Sequence, residues 1–348
     1  NSCICEPGCG NCDCIIFDAT GDISQQVYPS RFRWEDTKLL IYKELGVKCR
    51  LANPLNTSYR SVKSIVDIAN WFLDKINEAE GNKHRIEEAL TSESGVRPSI
   101  CFGNHKQLLQ KLTQVGLPQP YCPLIVRMEA DKKILIEEVR KSQQDKEFDS
   151  SLFIFTIAEV KGLEFNYVIT WDLTSGSNHM LKRGHHEKRG QYVGIEDWNL
   201  QMEYKHAFVA VTRTRELLLN MTPNHQLYGK DPLMTKLIGR KLCIEEEEED
   251  LSRFVREEIG DHEYFKLAMS YKEAGQYSAA AEVFRKINEN AQAMHCEFLD
   301  ALDGDDPIHI GETGRKLSKM ENDLTIDEKA EVHNHSISHL LAVKKKSS

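Results

Sequence analysis

Two rhythms of apolar residues alternate along the chain. Short runs rich in β-branched and aromatic residues occur at 14–17, 99–102, 123–126, 153–155 and 167–170, and each has the length of a buried strand. Between them the apolar spacing lengthens to that of a helix. From 60 to 80, Val62, Ile65, Val66, Ile68, Ala69 and Phe72 share one face of an amphipathic helix. Helices are also expected over 34–45, with Gly46 as its C-terminal cap, and over 105–113 and 131–140. Strands alternating with helices predict an α/β domain built on a mainly parallel sheet. The polar stretch 175–197, with Lys182, Arg183, Lys188 and Arg189 among glycines and histidines, reads as an exposed loop. The acidic run from Glu245 to Asp250 reads as a boundary, because like charges repel and resist packing. Beyond it the pattern is wholly helical.

Composition narrows the classes. The 348 residues are enough for two compact domains, and 40% hydrophobic with 28% charged residues is ordinary for a globular protein. No apolar run is long enough to span a membrane, so no membrane association is expected. A formal charge of -9 argues against a passive nucleic-acid coat, which would need many cations to neutralise phosphates. It leaves room for a motor with a narrow nucleic-acid track on an acidic body. Nothing resembles a signal peptide, so an intracellular, reducing compartment (nucleus or cytoplasm) is expected. Cys3, Cys5, Cys9 and Cys12 have a spacing that tetrahedral zinc could use, although C-x-C stands where C-x-x-C is usual and free thiols in a loop are the reading it favours. A chain that opens on Asn1 rather than Met reads as part of a longer protein.

Four separated segments carry candidate chemistry. Gly21-Asp22-Ile23-Ser24-Gln25-Gln26-Val27-Tyr28 follows a strand-like run and leads to Trp34; an amide there can both donate and accept. A β-turn with a capping Asp would look the same. Leu55-Asn56-Thr57-Ser58-Tyr59-Arg60-Ser61 puts a guanidinium at a helix N-terminus, where the macrodipole disfavours a cation unless an anion is near. Phe155-Thr156-Ile157-Ala158-Glu159-Val160-Lys161-Gly162-Leu163-Glu164-Phe165 is the most specific of the four. The last, Glu203-Tyr204-Lys205-His206-Ala207-Phe208-Val209-Ala210-Val211-Thr212-Arg213, ends in an arginine that a surface ion pair would also explain.

In this order and spacing the segments resemble motifs III, IV, V and VI of UvrD-like superfamily 1 helicases, over about residues 15–220. The resemblance implies a RecA-like second motor domain with a parallel sheet, followed by an α-helical, repeat-like module. It implies ATP with Mg²⁺ as cofactor, with Gln25, Arg60 and Arg213 as catalytic residues and Glu164 joining them in ATP binding. Arginines would serve there as charged, bidentate phosphate ligands. Tyr28 and Trp34 would stack on bases, and Thr156 and Lys161 would lie near the nucleic-acid backbone. Single-stranded or partly duplex nucleic acid is the implied partner, DNA ahead of RNA. The chain departs from the family pattern in three places. Two residues are inserted between Asn56 and Tyr59, Ala158 stands at the usual His of motif V, and Tyr204-Lys205 replaces the paired arginines of motif VI.

No G-x-x-x-x-G-K-[ST] occurs in the sequence, and no acidic D-E-x-x element stands ahead of the four segments; Gly311 to Ser318 has its glycines too close and falls in a helical region. Hydrolysis by this chain alone is therefore not expected. The domains expected are a remnant of the first motor domain over 1–45, the second over 46–235, an acidic linker over 236–254 and a helical region over 255–348. Within the last, Tyr264, Leu267, Ala268, Tyr271, Gly275, Tyr277, Ala280 and Phe284 have tetratricopeptide spacing, as a protein-binding repeat or a plain helical hairpin would show. The rival functional reading is a degenerate helicase-like scaffold that binds protein partners through these helices.

Overall fold

The structure is a computed structural model, and it describes residues 34–46, 57–58, 60–80, 88–89, 95–142, 148–182, 195–226, 229–246, 251–256, 259–320, 324–330, 332–333 and 335. In chain order its helices and strands are α1 (Trp34–Leu45), β1 (Thr57–Ser58), α2 (Lys63–Glu80), β2 (Glu88–Ala89), β3 (Ser99–Gly103), α3 (His105–Gln114), β4 (Leu124–Val126) and α4 (Glu129–Ser142). They continue with β5 (Ile154–Thr156), β6 (Phe165–Trp171), α5 (Ser175–Lys182), α6 (Ile195–Thr212), β7 (Thr214–Pro223), α7 (Pro232–Gly239) and β8 (Ile244–Glu245). The chain then turns helical through α8 (Asp261–Glu273), α9 (Tyr277–Lys286), α10 (Asn290–Asp303) and α11 (Pro307–Leu317). It divides into two compact units, Asn1–Gly95 with Thr174–Thr212, and Val96–Leu173 with Arg213–Ser348.

In the first unit α2 packs along α6, and β1 pairs in parallel with β2. The apolar stripe of α2 is buried as its spacing predicts, through Ile65, Ile68, Phe72 and Ile76. From Leu200 to Val211, α6 is buried almost without a break, including the polar Gln201, Glu203 and Lys205. Gly46 closes α1 in the left-handed conformation (φ 68°), and its N–H donates to the Tyr42 carbonyl at 2.9 Å. Gly95 is also left-handed (φ +66°), and a Cβ there would come 2.5 Å from Val62 Cγ2. The polar stretch after 174, expected as a loop, opens instead with α5. Ser177 and Asn178 are buried there, Asn178 N–H donates to the Thr174 carbonyl at 3.0 Å, and α5 packs on α6.

The second unit is built on six parallel strands in the order β5-β4-β6-β7-β3-β8. Its fold is mixed α/β. The links β3-α3-β4, β4-α4-β5 and β7-α7-β8 are strand–helix–strand units, as parallel pairing requires. Central strands are continuous buried runs, such as Leu124, Ile125 and Val126 in β4. Local signals start the helices: the Asn104 side chain caps α3 by accepting from Gln107 N–H at 2.8 Å, and Asp231 caps α7 ahead of Pro232. Two polar side chains inside the sheet pair across it, with Thr170 Oγ1 donating to Asn220 Oδ1 at 2.6 Å and Asn220 Nδ2 to the Ser99 carbonyl at 3.4 Å.

The span 236–254, read from its charge as a linker, completes α7 and carries β8. Lys230 pairs with Glu245 and Arg253 with Glu246, and Leu251 and Phe254 are buried in the same core as Leu124 and Ile169. Residues 247–250 of the acidic run lie outside the described residues. From α8 to α11 the helices pack successively, each on its predecessor. Reversals fall at Gly275 (φ 75°), Asn288 (φ 61°) and Asp305 (φ 49°). A second helical hairpin, α10 with α11, thus follows α8 and α9 directly. Among the described residues no helix is long and apolar enough to cross a membrane.

Candidate functional site

The segment 156–164 links two strands that are not neighbours, because β4 lies between β5 and β6. Thr156 and Trp171 both pair with Val126, so Thr156 is level with the carboxyl end of β6. Phe165, the first residue of β6, pairs with Thr214, the first of β7. The segment therefore runs back from the carboxyl edge of the sheet to its amino edge. At about 3.3 Å per residue, the six steps from Phe165 to Trp171 put its ends roughly 20 Å apart along the strand direction.

At the carboxyl edge Thr156 opens a reciprocal capping box. Its N–H and hydroxyl donate to Glu159 Oε2 at 2.7 and 2.9 Å, while Glu159 N–H points back to Thr156 Oγ1 at 3.4 Å. Lys132 of α4 holds the other oxygen of Glu159 at 2.6 Å. The hydroxyl expected near a nucleic-acid backbone is thus engaged internally, and Thr156 is buried. Lys161 is exposed in the turn that follows, and Gly162 takes a φ of +95°, which favours glycine. With no Cβ contact in the way, it is the backbone conformation alone that suits glycine there.

At the amino edge the two residues assigned to nucleotide come together from distant parts of the sequence. Phe165 N–H donates to the Arg213 carbonyl at 2.9 Å, and Arg213 Nη1 donates to the Leu163 carbonyl at 3.2 Å. Arg213 is 3% exposed. Glu164 pairs with Arg215 at 3.0 Å, and both side chains keep solvent contact. Glu164 and Arg215 thus keep solvent access there, while the Arg213 guanidinium is turned inward to the Leu163 carbonyl. Open parallel sheets usually bind ligands beyond their carboxyl ends.

Arg60 belongs to the first unit and is exposed, two residues ahead of the buried Val62 and three ahead of the start of α2. Trp34 is the first residue of α1. Gln25, Tyr28, Cys3, Cys5, Cys9 and Cys12 lie outside the described residues, so the stacking, sensing and zinc expectations attached to them have no geometry here. Among the described residues no group of three or more His, Cys, Asp or Glu is placed to hold a metal. In the motif VI segment Tyr204 and Lys205 are buried in α6. Sequence reasoning missed Glu159 and Lys132 as the supports of Thr156, and Arg215 as the partner of Glu164. The T-x-x-E spacing of a capping box could have found Glu159; a contact between α4 and the turn after β5 has no such local sign.

The chain matches no protein-family model and no curated protein. Among solved structures it is similar to the C-terminal domain of a possible DNA helicase from Lactobacillus plantarum WCFS1. The identity is 17% and the TM-score 0.33, over 54% of this chain and 99% of that one. At that level of similarity, the α/β assignment rests on the sheet itself.

Proposed function

We propose that this chain forms the second, RecA-like motor domain of an ATP-dependent, UvrD-like nucleic-acid helicase or translocase, with a helical module attached. The observation that carries the reading is the pairing of Phe165 with Thr214, which brings Glu164 and Arg213 to adjacent strand starts. The same register sets Thr156 at the opposite edge. Residues that the motor reading assigns to nucleotide and to nucleic acid thus fall at opposite ends of one strand-connecting segment, which supports it.

ATP, when bound, supplies the phosphoryl group whose transfer drives such a motor. Residue chemistry supports that reading: a guanidinium suits phosphate oxygens, and a carboxylate such as Glu164 suits ribose hydroxyls. The phosphate cradle and the Mg²⁺ ligands are not among these residues. Arg213 would steady charge on the transferring group, the role the resemblance also gives Arg60, and Glu164 would orient the nucleotide. Gln25 would sense the phosphate, and Tyr28, Trp34, Thr156 and Lys161 would contact single-stranded or partly duplex DNA.

A second reading is favoured by one observation. Arg213 and Glu164 are already engaged inside the chain, with the Leu163 carbonyl and with Arg215. A degenerate motor acting as a scaffold, with partners on its helical module, would retain these contacts for stability alone. ATPase activity of the intact protein, stimulated by single-stranded DNA, separates the two. The motor reading expects Arg213→Ala to lower kcat by about 10³-fold or more, in the range of a lost arginine finger. An unchanged rate, or no stimulated activity in the parent protein, leaves the scaffold.

A further inference from the structure

Tyr271 of α8 is fully buried. Its ring lies against three phenylalanines of the sheet unit, with centroids 5.8 Å from Phe153, 5.5 Å from Phe155 and 5.9 Å from Phe165. Its hydroxyl donates to the Pro120 carbonyl at 2.6 Å. Phe155 immediately precedes Thr156, and Phe165 immediately follows Glu164. One side chain of the helical array therefore touches both anchors of the 156–164 segment. An aromatic packed on two rings holds them at fixed separation, since close-packed interiors transmit displacement rather than absorb it.

The same helix is gripped on another side. Lys272 Nζ donates to Gln292 Oε1 at 3.1 Å and to Glu328 Oε1 at 2.7 Å, and lies 2.9 Å from His295 Nδ1. Gln292 and His295 belong to α10, and Glu328 to the helical turn that follows α11. Successive residues on a helix project about 100° apart. Tyr271 thus faces the sheet while Lys272 faces the rest of the array, and a rotation of α8 would move both.

We infer that Tyr271 is a positioning residue for the 156–164 segment, and that α8 transmits displacement of the helical array to it. The functional weight of this inference rests on the motor reading of that segment; the mechanical coupling does not.

Hydrogen–deuterium exchange of the 348-residue chain, resolved by peptide, tests the coupling. A parallel titration with fluorescent dT20 tests the motor reading. In Tyr271→Leu the amides of 156–165 should exchange at least tenfold faster, while β3 and α10 keep their rates. In Tyr271→Phe, which retains the ring contacts and loses only the hydroxyl, the same amides should quicken two- to threefold. Unchanged exchange at 156–165 in Tyr271→Leu overturns the inference. Should that variant lose protection everywhere, Tyr271→Phe decides, and wild-type exchange at 156–165 in it counts against the coupling. Faster exchange with weakened dT20 binding supports both readings. Faster exchange in a chain that never binds dT20 keeps the coupling and removes the nucleic-acid role. Unchanged exchange with intact dT20 binding does the reverse.

Discussion

Neutralising Glu328 should loosen the end of the helical array by an amount the structure sets. The Glu328 and Lys272 side chains are 13% and 12% exposed and 2.7 Å apart. The second carboxylate oxygen accepts from Thr325 N–H at 2.8 Å, from Thr325 Oγ1 at 2.9 Å and from Gln292 Nε2 at 3.2 Å. Burial by itself would raise the carboxyl. The hydrogen bonds from Lys272 and Thr325 outweigh it and hold Glu328 at about 2, against an ordinary 4.5. The folded value is the lower one, so the unfolded chain binds more protons between the two. The stabilisation is complete above about 4.5 and is lost as pH falls towards 2. At about 1.36 kcal/mol per unit the charge contributes roughly 3 kcal/mol, less whatever solvent screening removes. Glu328→Gln should lower stability to urea by about 2–3 kcal/mol at pH 7, and the gap to wild type should close as pH falls below 4. Direct titration of the carboxyl by carbon-13 NMR is the sharper assay. A midpoint near the ordinary value, or a stability gap that ignores pH, would refute the reasoning.

Two further outcomes follow from the buried polar and sulfur groups of the second unit. Asn220→Leu leaves Thr170 Oγ1 and the Ser99 carbonyl without their partner across the central strands, and should cost about 2–3 kcal/mol in urea unfolding. Adding Thr170→Val should cost less than the two single losses summed, and strict additivity would show that the pair is not coupled. Burial pushes the Cys101 thiol up to about 11 and those of Cys243 and Cys296 up to about 12, with Cys122 higher still. At pH 8 these four should resist iodoacetamide until the chain is unfolded, as read by peptide mass spectrometry; rapid native labelling of any one would contradict its burial.

Much of the secondary structure was legible because its causes are local. Asn104 and Gly46 mark helix ends by hydrogen bonds and a backbone conformation that involve only neighbouring residues. The stripe from Ile65 to Phe72 marks a helix because its spacing is helical wherever the helix goes. β7 was not legible. Its Leu217-Leu218-Leu219 run suits a helix or a strand equally, and only pairing on both sides makes it a central strand. α5 was missed for a related reason: a polar segment reads as a loop until a neighbouring helix buries part of it.

The sequence by itself determined that strands and helices alternate, because residue type and near-neighbour spacing suffice for that, and it marked the segments that resemble helicase motifs. Tertiary structure decided which of their residues meet. Leu163 and Arg213 are 50 residues apart, and parallel pairing of β6 with β7 brings them into hydrogen-bond contact. It also decided the role of Tyr271, whose spacing matches a helical repeat while its ring packs on Phe155 and Phe165. A helical period says that a residue faces something apolar; only the packed chain says what.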